Sequence, residues 1–134
     1  MRFFLDRNLS PHLATALAAL CIPESIHVEH HNIRFGPTTP DVDWINKLAA
    51  ESGWGVITQD RLIKNPPERQ ALKSTGLLVF ILAKQWTHVA HLDKSAALVR
   101  WMPAIIVVAT RVSSGTFMVP YNLSGKGRME SVTL

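Results

Sequence analysis

Three aspartates stand where the chain leaves apolar segments. Asp6 follows Phe3-Phe4-Leu5, and Asp60 comes just after the Val56–Thr58 stretch. Asp41 lies behind Thr39-Pro40, in the first turn of an expected helix, on one helical face with Ile45, Leu48 and Ala49. An acid on an inward face is unusual unless it has a partner. Three converging carboxylates repel one another and raise their pKa values unless a cation holds them. Oxygen ligands with no sulfur nearby favour Mg²⁺ or Mn²⁺. Such an ion orients a water, lowers its pKa and neutralises a phosphodiester transition state. Plainer roles exist for each acid: Asp6 and Asp60 suit turn caps, and Asp41 suits a helix dipole. Their joint placement at one sheet edge favours a site. Asp43 differs, because it falls on the polar face, where an i,i+4 pair with Lys47 accounts for it.

Other side chains are candidates for supporting roles. Asn8, two residues after Asp6, would orient that carboxylate, hold a metal-bound water or touch substrate; a turn asparagine is the plainer account. Arg61, Lys64 and Arg69 follow Asp60 closely and are candidates to hold phosphates, with solvated surface charge as the alternative. His27, His30 and His31 cluster, and His88 and His91 stand at i,i+3. Neither group has a zinc pattern, so they are expected to be partly exposed surface residues. Trp44, Trp54, Trp86 and Trp101 read as core or interface anchors. Gly36, Gly53, Gly55 and Gly76 lack the spacing of a phosphate-binding loop, and Ser113, Ser114 and Ser124 lack a nucleophile elbow.

The elements that would position the acids alternate between strand and helix. Phe3–Leu5 reads as a short buried strand, and Ser10-Pro11 as a helix cap followed by proline at the first helical position. Leu13, Leu17 and Leu20 form one apolar helical face, which Ile22-Pro23 ends. A weak strand at 26–28 and a loop over 32–40 come next. Thr39-Pro40 opens a helix ending at Gly53, and Trp54–Thr58 is the next strand. Pro66-Pro67 opens a helix stopped by Gly76. Leu77–Leu82 is a wholly apolar strand, Thr87–Arg100 a helix, and Ala104–Ala109 a second wholly apolar strand. Thr116–Val119 is expected at an edge, because Pro120 follows. The pattern predicts a three-layer α/β/α sandwich on a mainly parallel sheet, spanning 1–123, with a polar, mobile tail over 124–134. Ligands of such sheets bind beyond the carboxyl ends of the strands, at the topological switch point.

Composition sets outer bounds. At 134 residues and 47% hydrophobic, the chain suits one domain with a core of its own. The longest apolar run, Leu77–Ala83, is far shorter than the roughly 18 residues of a membrane span. Asp6 ends the first apolar stretch too early for a signal peptide. The single Cys21, read as a small buried hydrophobe, has no intramolecular partner, which fits a reducing cytoplasm. Lys and Arg number 14 against 10 Asp and Glu, a net charge of +4 that permits a polyanionic partner.

Taken together, these motifs resemble a known family. Asp6-Arg7-Asn8-Leu9-Ser10-Pro11 is similar to the Asp-x-Asn-Leu-Pro-Pro opening of compact PIN-like proteins, and Thr39-Pro40-Asp41-Val42-Asp43-Trp44-Ile45 to their Thr-Pro-Asp-x-x-Trp-Ile helix start. Thr58-Gln59-Asp60-Arg61 resembles their Thr-x-Asp-Arg turn. Pro67–Leu72, Gly76-Leu77 and Trp86 continue the pattern toward the VapC-type toxin branch, so that the resemblance covers about residues 1–110. It implies a Mg²⁺- or Mn²⁺-dependent ribonuclease, the toxin of a type II toxin–antitoxin system, with Asp6, Asp41 and Asp60 as metal-binding and catalytic acids. It further implies an RNA substrate, an antitoxin partner and a homodimer. Typical members carry a fourth acid; the corresponding strand exit, Ala83-Lys84-Gln85-Trp86, has none. That departure favours the alternative reading, a catalytically silent PIN-like module acting through protein contacts. A receiver-type phosphoacceptor domain would need adjacent acids after the first strand, and Phe4-Leu5-Asp6 lacks them.

Overall fold

The computed structural model describes residues 1–122 and 128–134. Its strands are β1 (Arg2–Leu5), β2 (His27–His30), β3 (Trp54–Thr58), β4 (Leu78–Leu82), β5 (Thr116–Val119) and β6 (Glu130–Val132). Its α-helices are α1 (Pro11–Cys21), α2 (His31–Arg34), α3 (Asp41–Glu51), α4 (Pro66–Thr75) and α5 (His91–Arg111). The strands form one sheet in the order β2-β1-β3-β4-β5-β6, parallel except for β6. α1 and α5 cover one face, and α3 and α4 the other. This is the three-layer α/β/α sandwich expected from the sequence.

Local chemistry accounts for the element boundaries near the site. The Ser10 side chain accepts hydrogen bonds from the His12 and Leu13 amides, and Pro11 fills the first turn, so α1 starts immediately behind Asp6. Pro40 precedes α3, whose first turn carries Asp41 and Asp43 where negative charge complements the helix dipole. Gly76 closes α4 at φ 68°, a left-handed position that glycine takes without strain. β3 and β4 are buried along their whole length, as the lack of alternation requires when both sheet faces are covered. At Gly55 a Cβ would lie 2.9 Å from the Phe3 ring, so only glycine lets β1 and β3 pack this closely. All four tryptophans are buried, and so is Cys21.

Three expectations about the second half are corrected. Ala104–Ala109 is not a strand but the last part of α5, which also extends the helix expected over Thr87–Arg100 and starts later, at His91. The buried residues Ala97, Leu98, Trp101, Met102 and Ile105 follow helical spacing, and Val107 is 45% exposed, which a strand covered on both faces would not allow. β5 is not an edge strand, since β6 pairs with it through Thr116 and Val132. Pro120 lies beyond the last paired residue, Val119, and removes no ladder hydrogen bond. Within the segment expected to be a tail, Glu130–Val132 returns to the sheet as β6. Ser124 and Lys126 lie outside the described residues. Among the described residues no helix is long and apolar enough to cross a membrane.

Candidate metal centre

The chain crosses from β1 to β2 over one sheet face through α1, then returns to β3 over the other through α3. The adjacent carboxyl ends of β1 and β3 are therefore a topological switch point, where helices diverge and leave a crevice. Asp6 leaves β1 there and Asp60 follows β3, while α3 brings Asp41 in from the side. One oxygen from each of Asp6, Asp41 and Asp60 lies within 4.8 Å of the others.

Asp6 is 1% exposed and is held at both oxygens. The Arg7 amide donates to Oδ1 at 2.7 Å, and the buried Thr58 hydroxyl to Oδ2 at 2.8 Å. Asn8 Nδ2 donates to Thr58 Oγ1 at 3.2 Å and, more weakly, to Asp6 Oδ2 at 3.4 Å. Asn8 is fixed in turn by Gln59, whose amide donates to its Oδ1 at 3.2 Å. Asp41 Oδ1 accepts from the Arg7 guanidinium at 3.0 Å and from Trp44 Nε1 at 2.8 Å, and among the described residues Oδ2 accepts no hydrogen bond. Arg7 itself is braced by the carbonyls of Pro37 and Thr39. The Asp60 amide donates to Thr58 Oγ1 at 2.9 Å. Among the described residues the Asp60 carboxylate has no ion-pair partner.

Charge arithmetic shows what this arrangement lacks. Among the described residues only Asp41 of the three carboxylates forms an ion pair, with Arg7, and Asp6 and Asp60 form none. Each ionised pair of carboxylates at this spacing costs about 3 kcal/mol at an effective dielectric constant near 20. Burial, then the Asp41 charge, pushes the Asp6 carboxyl above the ordinary aspartate range, against the hydrogen bonds from Thr58 and Arg7. Burial also raises Asp60, with the charges of Asp41, Asp6 and Glu68 adding to it. A divalent cation is the ligand whose charge and preference for hard oxygens fit this set.

A family model described as a PIN-like domain matches residues 1–84. The chain belongs to the PIN-like domain family. Its α/β fold is of the nuclease type, and the acid cluster is compatible with a metal site. No curated protein and no solved structure matches the chain.

The remaining candidates of this PIN-like domain are more dispersed. Arg61 is half-buried and Lys64 exposed in the short turn after Asp60, and among the described residues neither has an ion-pair partner. Arg69 is occupied: its guanidinium donates to the carbonyls of Ile63 and Thr133, tying α4 to the end of the chain. Asp43 is exposed and, among the described residues, forms no ion pair with Lys47. The expectation of partly exposed histidines is corrected at two positions, for His30 is 3% and His31 0% exposed. His30 donates to the Leu9 carbonyl at 2.7 Å and accepts from the Asn32 amide, so it is buried with its polar atoms paired. His31 packs its ring against Phe4 and Phe35, and among the described residues its Nε2 has no hydrogen-bond partner.

Sequence reasoning missed Thr58, Arg7 and Trp44 as residues that position the acids. All three lie inside the quoted motifs, and a threonine closing an otherwise apolar strand beside an aspartate was the available signal.

Proposed function

We propose that this PIN-like domain is a divalent-metal-dependent ribonuclease that cleaves single-stranded or structured RNA, and that it serves as the toxin of a type II toxin–antitoxin system. The observation that carries the reading is the convergence of Asp6, Asp41 and Asp60 within 4.8 Å at the switch point of a PIN-like fold. Asp6 and Asp60 would hold Mg²⁺ or Mn²⁺ directly, and Asp41 would hold it or position the attacking water. When bound, the ion lowers the pKa of a water and offsets charge on the phosphodiester oxygens. Thr58, Asn8 and the Arg7 amide fix the Asp6 carboxylate before anything binds, which limits reorganisation. The Arg7 guanidinium and Trp44 Nε1 both bond Asp41 Oδ1 and so fix the orientation of that carboxylate. Arg61 and Lys64 would hold phosphates that flank the scissile bond; the bonds of Arg69 to two carbonyls make it the weakest of the three basic candidates.

The toxin assignment follows from the motif resemblance, which brings an antitoxin and a homodimer with it. One observation favours the silent binding module instead: β4 exits through Ala83, Lys84 and Gln85, with no acid. Cleavage of end-labelled RNA separates the two. The nuclease reading requires cleavage that Mn²⁺ or Mg²⁺ supports, EDTA stops and Asp60→Asn abolishes, together with growth arrest on expression. A binding module would show none of these.

A further inference from the structure

The carboxyl edge of the sheet continues past the acids, across the ends of β4 and β5. β6 enters antiparallel, so its first residues reach the same edge. A recess of about 190 Å³ opens there, lined by Ala83, Gln85, Met118, Pro120, Arg128 and Glu130.

Register ties this recess to the acid cluster. Leu5 pairs with Ile57, so Asp6 stands beside Thr58; Thr58 pairs with Ile81, Ile81 with Met118, and Met118 with Glu130. Met118 packs on the same sheet face as α3, the helix that carries Asp41. Three strand spacings of about 4.8 Å put Met118 roughly 14 Å from Asp6, a distance that a short single strand spans.

The lining chemistry argues against a simple phosphate site, because Glu130 would repel a phosphate beside Arg128. Ala83, Met118 and Pro120 give apolar surface for a ring. Arg128 offers paired donors and Glu130 paired acceptors, and among the described residues neither has an ion-pair partner. Guanine answers both: O6 and N7 accept from a guanidinium, and the ring and exocyclic N–H groups donate to a carboxylate. Adenine lacks the O6 acceptor, and uracil and cytosine lack N7 altogether.

We infer that this recess reads a guanine base in a single-stranded RNA whose phosphodiester lies at the acid cluster. The placement of the strand rests on the nuclease reading; recognition of the base does not. The test is fluorescence anisotropy in EDTA with two labelled RNA hexamers, one all adenine and one with a single guanine. Wild-type protein is expected to bind the guanine hexamer about tenfold more tightly, with Arg128→Ala and Glu130→Gln each removing most of that ratio. Matching melting temperatures show that both variants are folded. Equal binding of the two hexamers, no binding of either, or a ratio that survives in both variants overturns the proposal. So does guanosine monophosphate competing as well as the guanine hexamer, which would mark a free-nucleotide site. Mn²⁺-dependent hydrolysis of bis(p-nitrophenyl) phosphate, which has no base, tests the nuclease reading separately. Its absence alongside an intact guanine ratio would sink that reading and leave base recognition standing.

Discussion

Thr58 donates its hydroxyl to Asp6 Oδ2 at 2.8 Å, and Thr58 Oγ1 accepts from the Asp60 backbone amide at 2.9 Å. One buried side chain thus links two acids that follow different strands. Thr58→Val keeps the shape but removes both bonds and the one that Asn8 Nδ2 donates to the same hydroxyl. It is expected to destabilise the fold by about 2 kcal/mol, the scale of a lost hydrogen bond to a charged group. Mn²⁺ affinity should fall between about tenfold and a hundredfold, and Thr58→Ser should recover most of it. Denaturant unfolding and calorimetry read the two effects. Unchanged Mn²⁺ affinity in the valine variant would remove Thr58 from the account.

Removing a carboxylate should separate stability from metal binding. Asp6→Asn relieves repulsion, so the metal-free protein should melt at the same temperature or slightly higher. The Mn²⁺-induced rise in melting temperature should vanish. A full metal-induced shift in Asp6→Asn would refute the role of Asp6.

The two acids of the first turn of α3 should behave differently. Asp41 points into the cluster and Asp43 is exposed. Asp41→Ala should abolish RNA cleavage, and Asp43→Ala should leave most of it. A dead Asp43→Ala enzyme with an active Asp41→Ala would reverse the roles.

The raised pKa values give stability a pH dependence of definite sign. A group whose pKa is higher folded than unfolded contributes stability at low pH, and that contribution is lost as pH rises through the folded value. Asp6 and Asp60 are both raised. As pH rises above the ordinary aspartate pKa of about 3.9, the metal-free wild type should lose stability relative to the Asp6→Asn, Asp60→Asn double variant. With Mn²⁺ present the trend should reverse, because binding displaces protons. Thermal melts in EDTA and in Mn²⁺ check both signs.

Much of this was legible in the residues, for identifiable reasons. Ser10-Pro11, Thr39-Pro40 and Pro66-Pro67 with Gly76 are local stop and start chemistry, and each marks an observed helix end. Strand exits and helical periodicity were enough to bring Asp6, Asp41 and Asp60 together. Ala104–Ala109 reads as a strand because a short apolar run has no period of its own; only its continuity with Leu98 and Trp101 makes it helical. Glu130–Val132 carries almost no local strand signal and is a strand because β5 offers it an edge. The burial of His30 and His31 was equally hidden, since it depends on Leu9 and Phe4 from another strand and its turn.

The central claim is that the three aspartates hold one divalent ion. Calorimetric titration of the metal-free protein with Mn²⁺ at neutral pH tests it most directly. One saturable site per chain is expected, lost in Asp6→Asn and in Asp60→Asn while both variants remain folded. No saturable binding by the wild type, or binding that survives in both variants, would contradict it.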